Sequence, residues 1–177
     1  MDPEHIQSLR NAVRDVPDFP KPGILFRDIT PILVDPTLFE LSIQAILEPV
    51  KELKIDKIVG IDARGFIFAA PCALRRDAGL VLIRKKGKLP WETHSLSYAL
   101  EYGEAEVEIH HDSIQEGENV LLVDDLLATG GTAAAAQELI QKIGGNLVAT
   151  AFLIELADLS GRERLSQSGE TYSILTY

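Results

Sequence analysis

Two adjacent carboxylates, Asp124 and Asp125, directly follow the apolar run Val120-Leu121-Leu122-Val123, and the loop Leu126-Leu127-Ala128-Thr129-Gly130-Gly131-Thr132 follows them. Glycines let backbone N–H groups come close to an anion. A helix opening at Thr132 adds unpaired N–H donors and the positive end of a dipole. Thr129 and Thr132 add hydroxyl donors. The span Ala128, Thr129, Gly130, Gly131, Thr132 is therefore suited to a phosphate. The two acids would repel that phosphate. They are acceptor-only groups, and sugar hydroxyls supply donors. A ribose with its hydroxyls on Asp124 and Asp125 and its 5′-phosphate on Ala128–Thr132 satisfies the whole stretch. The plain alternative is a glycine-rich turn with two solvated acids, but paired carboxylates at a buried strand end are costly without partners. Neither a Walker phosphate loop nor a Gly-x-Gly-x-x-Gly fingerprint occurs, which argues against a dinucleotide site.

Other polar clusters are less specific. Asp62-Ala63-Arg64-Gly65 closes a short apolar run, and Arg84-Lys85-Lys86-Gly87-Lys88 is strongly basic. Alone, the basic run reads as a solvated surface; beside a phosphate site it becomes a candidate anion clamp. His94 and the pair His110-His111 lack an evident third metal ligand and read as surface. Glu104, Glu106 and Glu108 read as the wet face of a strand. Trp91 reads as a cover for the site or an interface residue.

The elements that must position these groups follow from periodicity. Residues 4–15 look like a short amphipathic helix, ended by the proline-rich stretch 17–22, with an extended arm over 23–30. Asp35-Pro36 is a helix start, with Leu38, Leu41, Ala45 and Ile46 on one face and Pro49 near its end. Strands are expected at 57–61, 80–83, 120–123 and 147–154, with helices at about 66–77 and 132–143. Residues 89–94 read as a loop, and 95–110 alternate as a half-exposed ribbon. Val120–Val123 has the pattern of a strand buried on both faces. This order predicts an α/β fold, a parallel sheet with right-handed crossovers.

Composition bounds the answer. The chain has 177 residues and a net charge of -10, with 46% hydrophobic and 25% charged residues. One domain is expected at this length. The acidic balance argues against a nucleic-acid backbone binder. The longest apolar run, 66–74, is short of the roughly 20 residues of a membrane span, and the N-terminus lacks a signal-peptide pattern. The single cysteine, Cys72, sits in an apolar stretch and fits a reducing compartment. A cytoplasmic protein is expected, with no nucleic-acid or membrane partner.

The stretch 120–132 resembles the phosphoribosyl-diphosphate (PRPP) signature of type I phosphoribosyltransferases. Asp18-Phe19-Pro20-Lys21-Pro22-Gly23-Ile24-Leu25-Phe26-Arg27-Asp28-Ile29-Thr30-Pro31 is similar to the N-terminal segment of the adenine branch of that family. So are the segments 60–66, 83–90 and 97–103, the last containing Leu100-Glu101-Tyr102-Gly103. The resemblance runs from Phe19 to about Leu175.

The resemblance implies a central, mostly parallel sheet flanked by helices, a small N-terminal hood over about 1–34 and a flexible β-ribbon lid over about 87–103. The implied reaction is adenine plus PRPP giving AMP plus pyrophosphate, through an oxocarbenium-like sugar. Mg²⁺ is the implied cofactor, held by pyrophosphate, ribose and water with no direct protein ligand. A homodimer is the implied assembly. Pyrophosphate falls to Asp62, Ala63, Arg64, Arg84 and Lys88, with Arg84 reaching across the dimer and a cis peptide between Asp62 and Ala63. Adenine falls to the main chain of Leu25 and Arg27, with Phe26 stacked on the ring; Arg64 is a further candidate for the base edge. Glu101 is the implied acid/base group, with Tyr102 beside it in the lid, and Arg64 joins it as a catalytic candidate. A 6-oxopurine (hypoxanthine, guanine or xanthine) transferase and a non-catalytic PRPP-binding regulator are the alternatives. The regulator usually adds a DNA-binding module, for which no segment here is long or basic enough.

Overall fold

The Asp2 side chain accepts the Glu4 amide at 3.0 Å and starts α1 (Pro3–Ala12) in the computed structural model, which describes residues 2–99, 104–166 and 168–177. The helix expected over 4–15 stops early. Arg14–Pro17 (β1) instead pairs antiparallel with Leu25–Asp28 (β2), with Arg14 opposite Asp28 and Pro17 opposite Leu25. Hydrogen bonds to a distant segment outweigh a weak helical preference. The expected extended arm is thus half of a hairpin, and it leads into a short helix, α2 (Thr30–Val34), with proline in its first turn. Asp35 caps α3 (Pro36–Leu47) by accepting the amides of Thr37 at 2.8 Å and Leu38 at 3.0 Å. Pro49 lies in the 3₁₀ turn Glu48–Val50 that ends it.

The central sheet begins with β3 (Lys57–Ile61), followed by α4 (Gly65–Arg76), β4 (Gly79–Lys85), β5 (Thr93–Ala99) and β6 (Glu104–His110). Then come β7 (Asn119–Leu127), α5 (Gly131–Lys142), β8 (Asn146–Glu155) and β9 (Glu170–Thr176). Strand order is β5-β6-β4-β3-β7-β8-β9. The five strands from β4 to β9 are parallel, and the ribbon β5–β6 adds antiparallel to the β4 edge. The expected loop at 89–94 is shorter, because Thr93 already pairs with His110. The sequence pattern carried no expectation beyond Ile154; β9 closes the far edge of the sheet there.

Both faces of β7 are buried, as its continuous apolar run predicts. Leu121 and Val123 pack with Phe68, Ala69 and Cys72 of α4. Val120 and Leu122 pack with Ala135, Ala136 and Leu139 of α5. Burial pushes the Cys72 thiol up to about 12, so it is an inert core group. Chain order reverses at β3: β4 lies on one side of it and β7 on the other. In open α/β sheets that reversal opens a crevice at the carboxyl ends of the strands. Gly60 of β3 pairs with Val123 of β7, so Asp62–Arg64 and Asp124-Asp125 emerge side by side there.

Candidate active site

The crevice is a cavity of about 300 Å³ walled by Ile61–Arg64 on one side and Asp124–Ala133 on the other. The two candidate segments, about sixty residues apart in the chain, therefore share one space. The acids do not lie beyond the strand, as their position after Val123 suggested. β7 continues through them to Leu127, with Asp124 paired to Phe152 and Leu126 to Ile154. Backbone pairing with β8 carries the strand past the last apolar residue of the run and holds the acids on rigid backbone.

The loop beyond is shaped by two glycines that touch. Gly130 has φ of 79° and precedes the first turn of α5, which has no side-chain cap. The first amides of that helix are therefore left for an anion. A Cβ on Gly130 would stand 2.2 Å from the carbonyl oxygen of Gly161, and a Cβ on Gly161 would stand 2.0 Å from that of Ala128. The turn at 161 is a floor under the loop, and nothing in the local sequence around Gly161 announced it.

Asp125 is 5% exposed, and its Oδ2 lies 2.8 Å from Arg64 Nε. Asp124 Oδ1 accepts the Asp125 amide at 2.9 Å. Burial first, and then the neighbouring Asp125 charge, push the Asp124 carboxyl well above its usual range. Burial raises Asp125 too, against the pull of Arg64. A buried acid pair with one cationic partner has spare acceptor capacity, which suits vicinal hydroxyls. Gly65, the first residue of α4, leaves room for this arrangement: a Cβ there would stand 2.7 Å from Asp124 Oδ1.

The Asp62–Ala63 peptide is cis, as the resemblance implies. Asp62 Oδ2 accepts from Arg84 Nε at 3.1 Å, and Arg84 Nη1 donates to the Lys88 carbonyl at 3.1 Å. Arg84 thus joins the crevice through Asp62 of its own chain; neither it nor Lys88 lines the cavity. Glu108 corrects the reading of a wet acidic face. It is 4% exposed and accepts the amides of Lys88 at 2.9 Å and Leu89 at 2.8 Å. Burial would raise its pKa, yet the Leu89, Gly87 and Lys88 amides together hold it below the usual glutamate range. The alternation of Val107 and Ile109 correctly puts Glu108 on the opposite face, but the 87–89 turn folds over that face. Glu106 matches the expected role better, bonding Lys86 at 2.8 Å and Ser95 at 2.6 Å.

Leu25, Phe26 and Arg27 lie in β2. The Arg64 guanidinium sits 5.7 Å from the Phe26 ring centroid, and Phe19 meets Phe26 edge-on at 5.1 Å. Arg27 turns elsewhere, stacking 4.1 Å over Tyr177 and pairing with Asp15. Its side chain is thus occupied, and it is the Phe26 ring that brings β2 next to Arg64. Tyr98 on β5 was not singled out as a site residue, yet its hydroxyl is 2.9 Å from Thr132 Oγ1. Its period-two register with Leu96 was the available signal. Glu101 and Tyr102 lie outside the described residues.

Among the described residues, no three His, Cys, Asp or Glu side chains gather as a metal cage. Of the crevice carboxylates, Asp62 is engaged by Arg84 and Asp125 by Arg64. Those hard oxygen donors fit a hydrated divalent cation reached through ligand oxygens. No helix among the described residues is long and apolar enough to cross a membrane.

Comparison with known proteins gives the family and the fold. The phosphoribosyl transferase domain family matches residues 31–170. An adenine phosphoribosyltransferase of Halothermothrix orenii is 55% identical over 168 residues, covering 95% of this chain and 96% of its own length. The crystal structure of the adenine phosphoribosyltransferase from Rhodothermus marinus superposes with a TM-score of 0.95 at 49% identity, over 99% of this chain and all of that one, 100%. The Saccharomyces cerevisiae enzyme, complexed with adenine and an imino-altritol bisphosphate, gives a TM-score of 0.91 at 42% identity, over 97% of this chain and 98% of that one.

Proposed function

This chain belongs to the adenine phosphoribosyltransferase family of pentosyl transferases, and on that premise we propose how its residues carry the transfer of the 5-phosphoribosyl group from PRPP to adenine, giving AMP and pyrophosphate. The observation that carries the proposal is the shared crevice: the buried acid pair and the glycine loop face the Asp62–Arg64 turn across one cavity.

The Ala128–Thr132 loop holds the 5′-phosphate with its amides and threonine hydroxyls. Asp124 and Asp125 accept the ribose hydroxyls, which fixes C1 of the sugar against the Asp62–Arg64 turn. Arg64, Arg84 and Lys88, with the Asp62 and Ala63 backbone, surround the pyrophosphate. The reaction breaks the C1–O bond and forms the C1–N9 bond, and the sugar between them has oxocarbenium character. No enzyme nucleophile is needed; catalysis is positioning and charge stabilisation. The leaving pyrophosphate takes the bonding electrons, and the cations stabilise the charge that develops. Mg²⁺, when bound, would supply further charge neutralisation on the pyrophosphate, and the crevice carboxylates Asp62, Asp124 and Asp125 would accept from its waters.

Phe26 stacks on the base while the main chain of Leu25 and Arg27 reads its edge. Adenine presents N6–H₂ as donor and N1 as acceptor, whereas a 6-oxopurine presents the reverse. N9 of adenine loses its proton as the C1–N9 bond forms, and Glu101, with Tyr102 in the lid over about 87–103, assists that shift by hydrogen bonding at N7. Closure of that lid shields the sugar from water.

A homodimer is supported by an apolar surface that α4 and its neighbour β4 leave open. Leu74 is 85% exposed, and Ile67, Leu80 and Leu82 lie exposed on the same two elements. The free, buried Cys72 accords with a reducing cytoplasm.

The experiment is pyrophosphate release from PRPP with adenine, hypoxanthine, guanine and xanthine in parallel, with and without Mg²⁺. Release with adenine alone, dependent on Mg²⁺, is expected. Release with a 6-oxopurine instead overturns the base assignment, and PRPP binding without release for any base overturns the catalytic one.

A further inference from the structure

Tyr98 connects the β5–β6 ribbon to the loop at the head of α5. Its hydroxyl is 2.9 Å from Thr132 Oγ1, and its ring, with Leu96, packs on the core cluster that includes Ala135, Ala136 and Leu139 of α5. None of the roles above uses it.

The direction of that hydrogen bond is open until the loop is filled. A threonine hydroxyl has one proton and two lone pairs, and so has a tyrosine hydroxyl to a first approximation. A phosphate dianion has no proton to give. If Thr132 donates its single proton to a phosphoryl oxygen, it keeps only lone pairs for Tyr98, and Tyr98 must donate. A phenol is the more acidic partner, so this is the favoured arrangement. The chain Tyr98 O–H to Thr132 Oγ, then Thr132 O–H to phosphate oxygen, is polarised along its length.

We propose that Tyr98 is a positioning residue that senses the 5′-phosphate: an occupied loop fixes the Tyr98–Thr132 bond in one direction and thereby fastens the β5 end of the ribbon onto α5. The proposal rests on the assignment of Ala128–Thr132 to the 5′-phosphate. PRPP and AMP both carry that phosphate; adenine and pyrophosphate do not. The bond is thus held in one direction on both sides of the reaction, and its direction is open again when the phosphosugar leaves. Selection of phosphorylated over unphosphorylated sugars is built into the same contact.

Trp91, the sole tryptophan, lies two residues before β5 and is largely exposed, so its fluorescence reports the ribbon. The test titrates ribose 5-phosphate and, separately, pyrophosphate into the full chain, following heat and Trp91 emission. The proteins are the wild type, Tyr98→Phe, Thr132→Val, Thr132→Ser and the Tyr98→Phe/Thr132→Val double variant. Tyr98→Phe keeps the ring and its packing. It is expected to weaken ribose 5-phosphate about fivefold to tenfold, to shrink the Trp91 response, and to leave pyrophosphate affinity unchanged. Thr132→Ser retains the response, and Tyr98→Phe adds no further loss once Thr132 is valine. If Thr132→Val weakens ribose 5-phosphate and Tyr98→Phe does not, the relay is overturned and the loop assignment stands. Equal weakening of both ligands by Tyr98→Phe, or an undiminished loss in the valine background, also overturns the relay. If Thr132→Val leaves ribose 5-phosphate affinity unchanged, the loop assignment falls, and the relay with it.

Discussion

Arg64 Nε stands 2.8 Å from Asp125 Oδ2, and the same guanidinium lies 5.7 Å from the Phe26 ring centroid. One side chain thus touches the acid of the sugar site and the aromatic of the base site, and its backbone belongs to the turn assigned to pyrophosphate. It is the only described residue in direct contact with both Asp125 and Phe26 through a cationic group. Its planar fork can serve two partners at once, which a lysine ammonium cannot do with the same geometry.

Arg64→Lys is therefore expected to keep the net charge and still lower kcat/KM by at least about tenfold, with KM rising for adenine as well as PRPP. Steady-state kinetics with each substrate varied separately measures this. A change confined to PRPP would remove Arg64 from the base site.

Asp124→Asn should weaken PRPP binding by about ten- to a hundredfold, since hydrogen bonds to a charged acceptor contribute about 1.5–3 kcal/mol. Stability should move the other way. Burial raises the folded-state pKa of Asp124 above its unfolded value, so the unfolded chain ionises first as pH rises, and ionisation favours unfolding. The wild type is then most stable relative to Asp124→Asn in acid and loses that advantage as pH climbs through the ordinary carboxylate range towards the raised folded value. Paired melting curves from acid to neutral pH check the sign.

Gly130→Ala forces a side chain onto a backbone with φ of 79° and into the Gly161 carbonyl oxygen. The left-handed conformation alone costs about 1–2 kcal/mol, and the clash requires the 161 turn to shift. A lower melting temperature is expected together with loss of ribose 5-phosphate binding. Gly65→Ala is a sharper probe, because its Cβ would meet the Asp124 carboxylate first, at 2.7 Å, with the Val123 carbonyl oxygen next at 3.1 Å. It should weaken PRPP by displacing one acid.

Glu108→Ala leaves the Lys88 and Leu89 amides without their acceptor. The expected cost is about 1–3 kcal/mol, with KM for PRPP rising more than KM for adenine, because that turn carries Lys88 and holds the Arg84 partner carbonyl. Glu108 has a lowered folded-state pKa, so its contribution is present above the unfolded value and fades as pH falls through the folded one. The difference between wild type and Glu108→Ala should shrink in acid, which denaturant titrations at two pH values measure.

Glu101→Gln and Glu101→Ala should lower kcat far more than they raise the adenine dissociation constant. Single-turnover rates beside equilibrium adenine binding separate the two. Unchanged turnover in both variants would remove Glu101 from the mechanism.

Local chemistry was enough for much of this. The apolar run of β7, the acid pair and the glycine loop could be read directly, because burial on two faces, repulsion between acids and phosphate, and helix-start amides all act within about a dozen residues. The Asp35 cap and both ends of α5 were legible for the same reason. What the sequence could not specify is which distant segment touches which. Glu108 has the register of a solvated strand face, and only the 87–89 turn folding over it makes it a buried acceptor. Gly161 sits in an unpatterned stretch and matters only because Ala128 and Gly130 press against it. Tyr98 reads as one more apolar-face residue until α5 brings Thr132 to its hydroxyl. Arg14 and Asp15 continue a helical pattern but become strand, because β2 offers them hydrogen bonds from another part of the chain. Spacing along the chain determines which chemistry is available; closure of the sheet at the β3–β7 reversal decides where it converges, since long-range contacts are selected by packing and pairing that no local window contains.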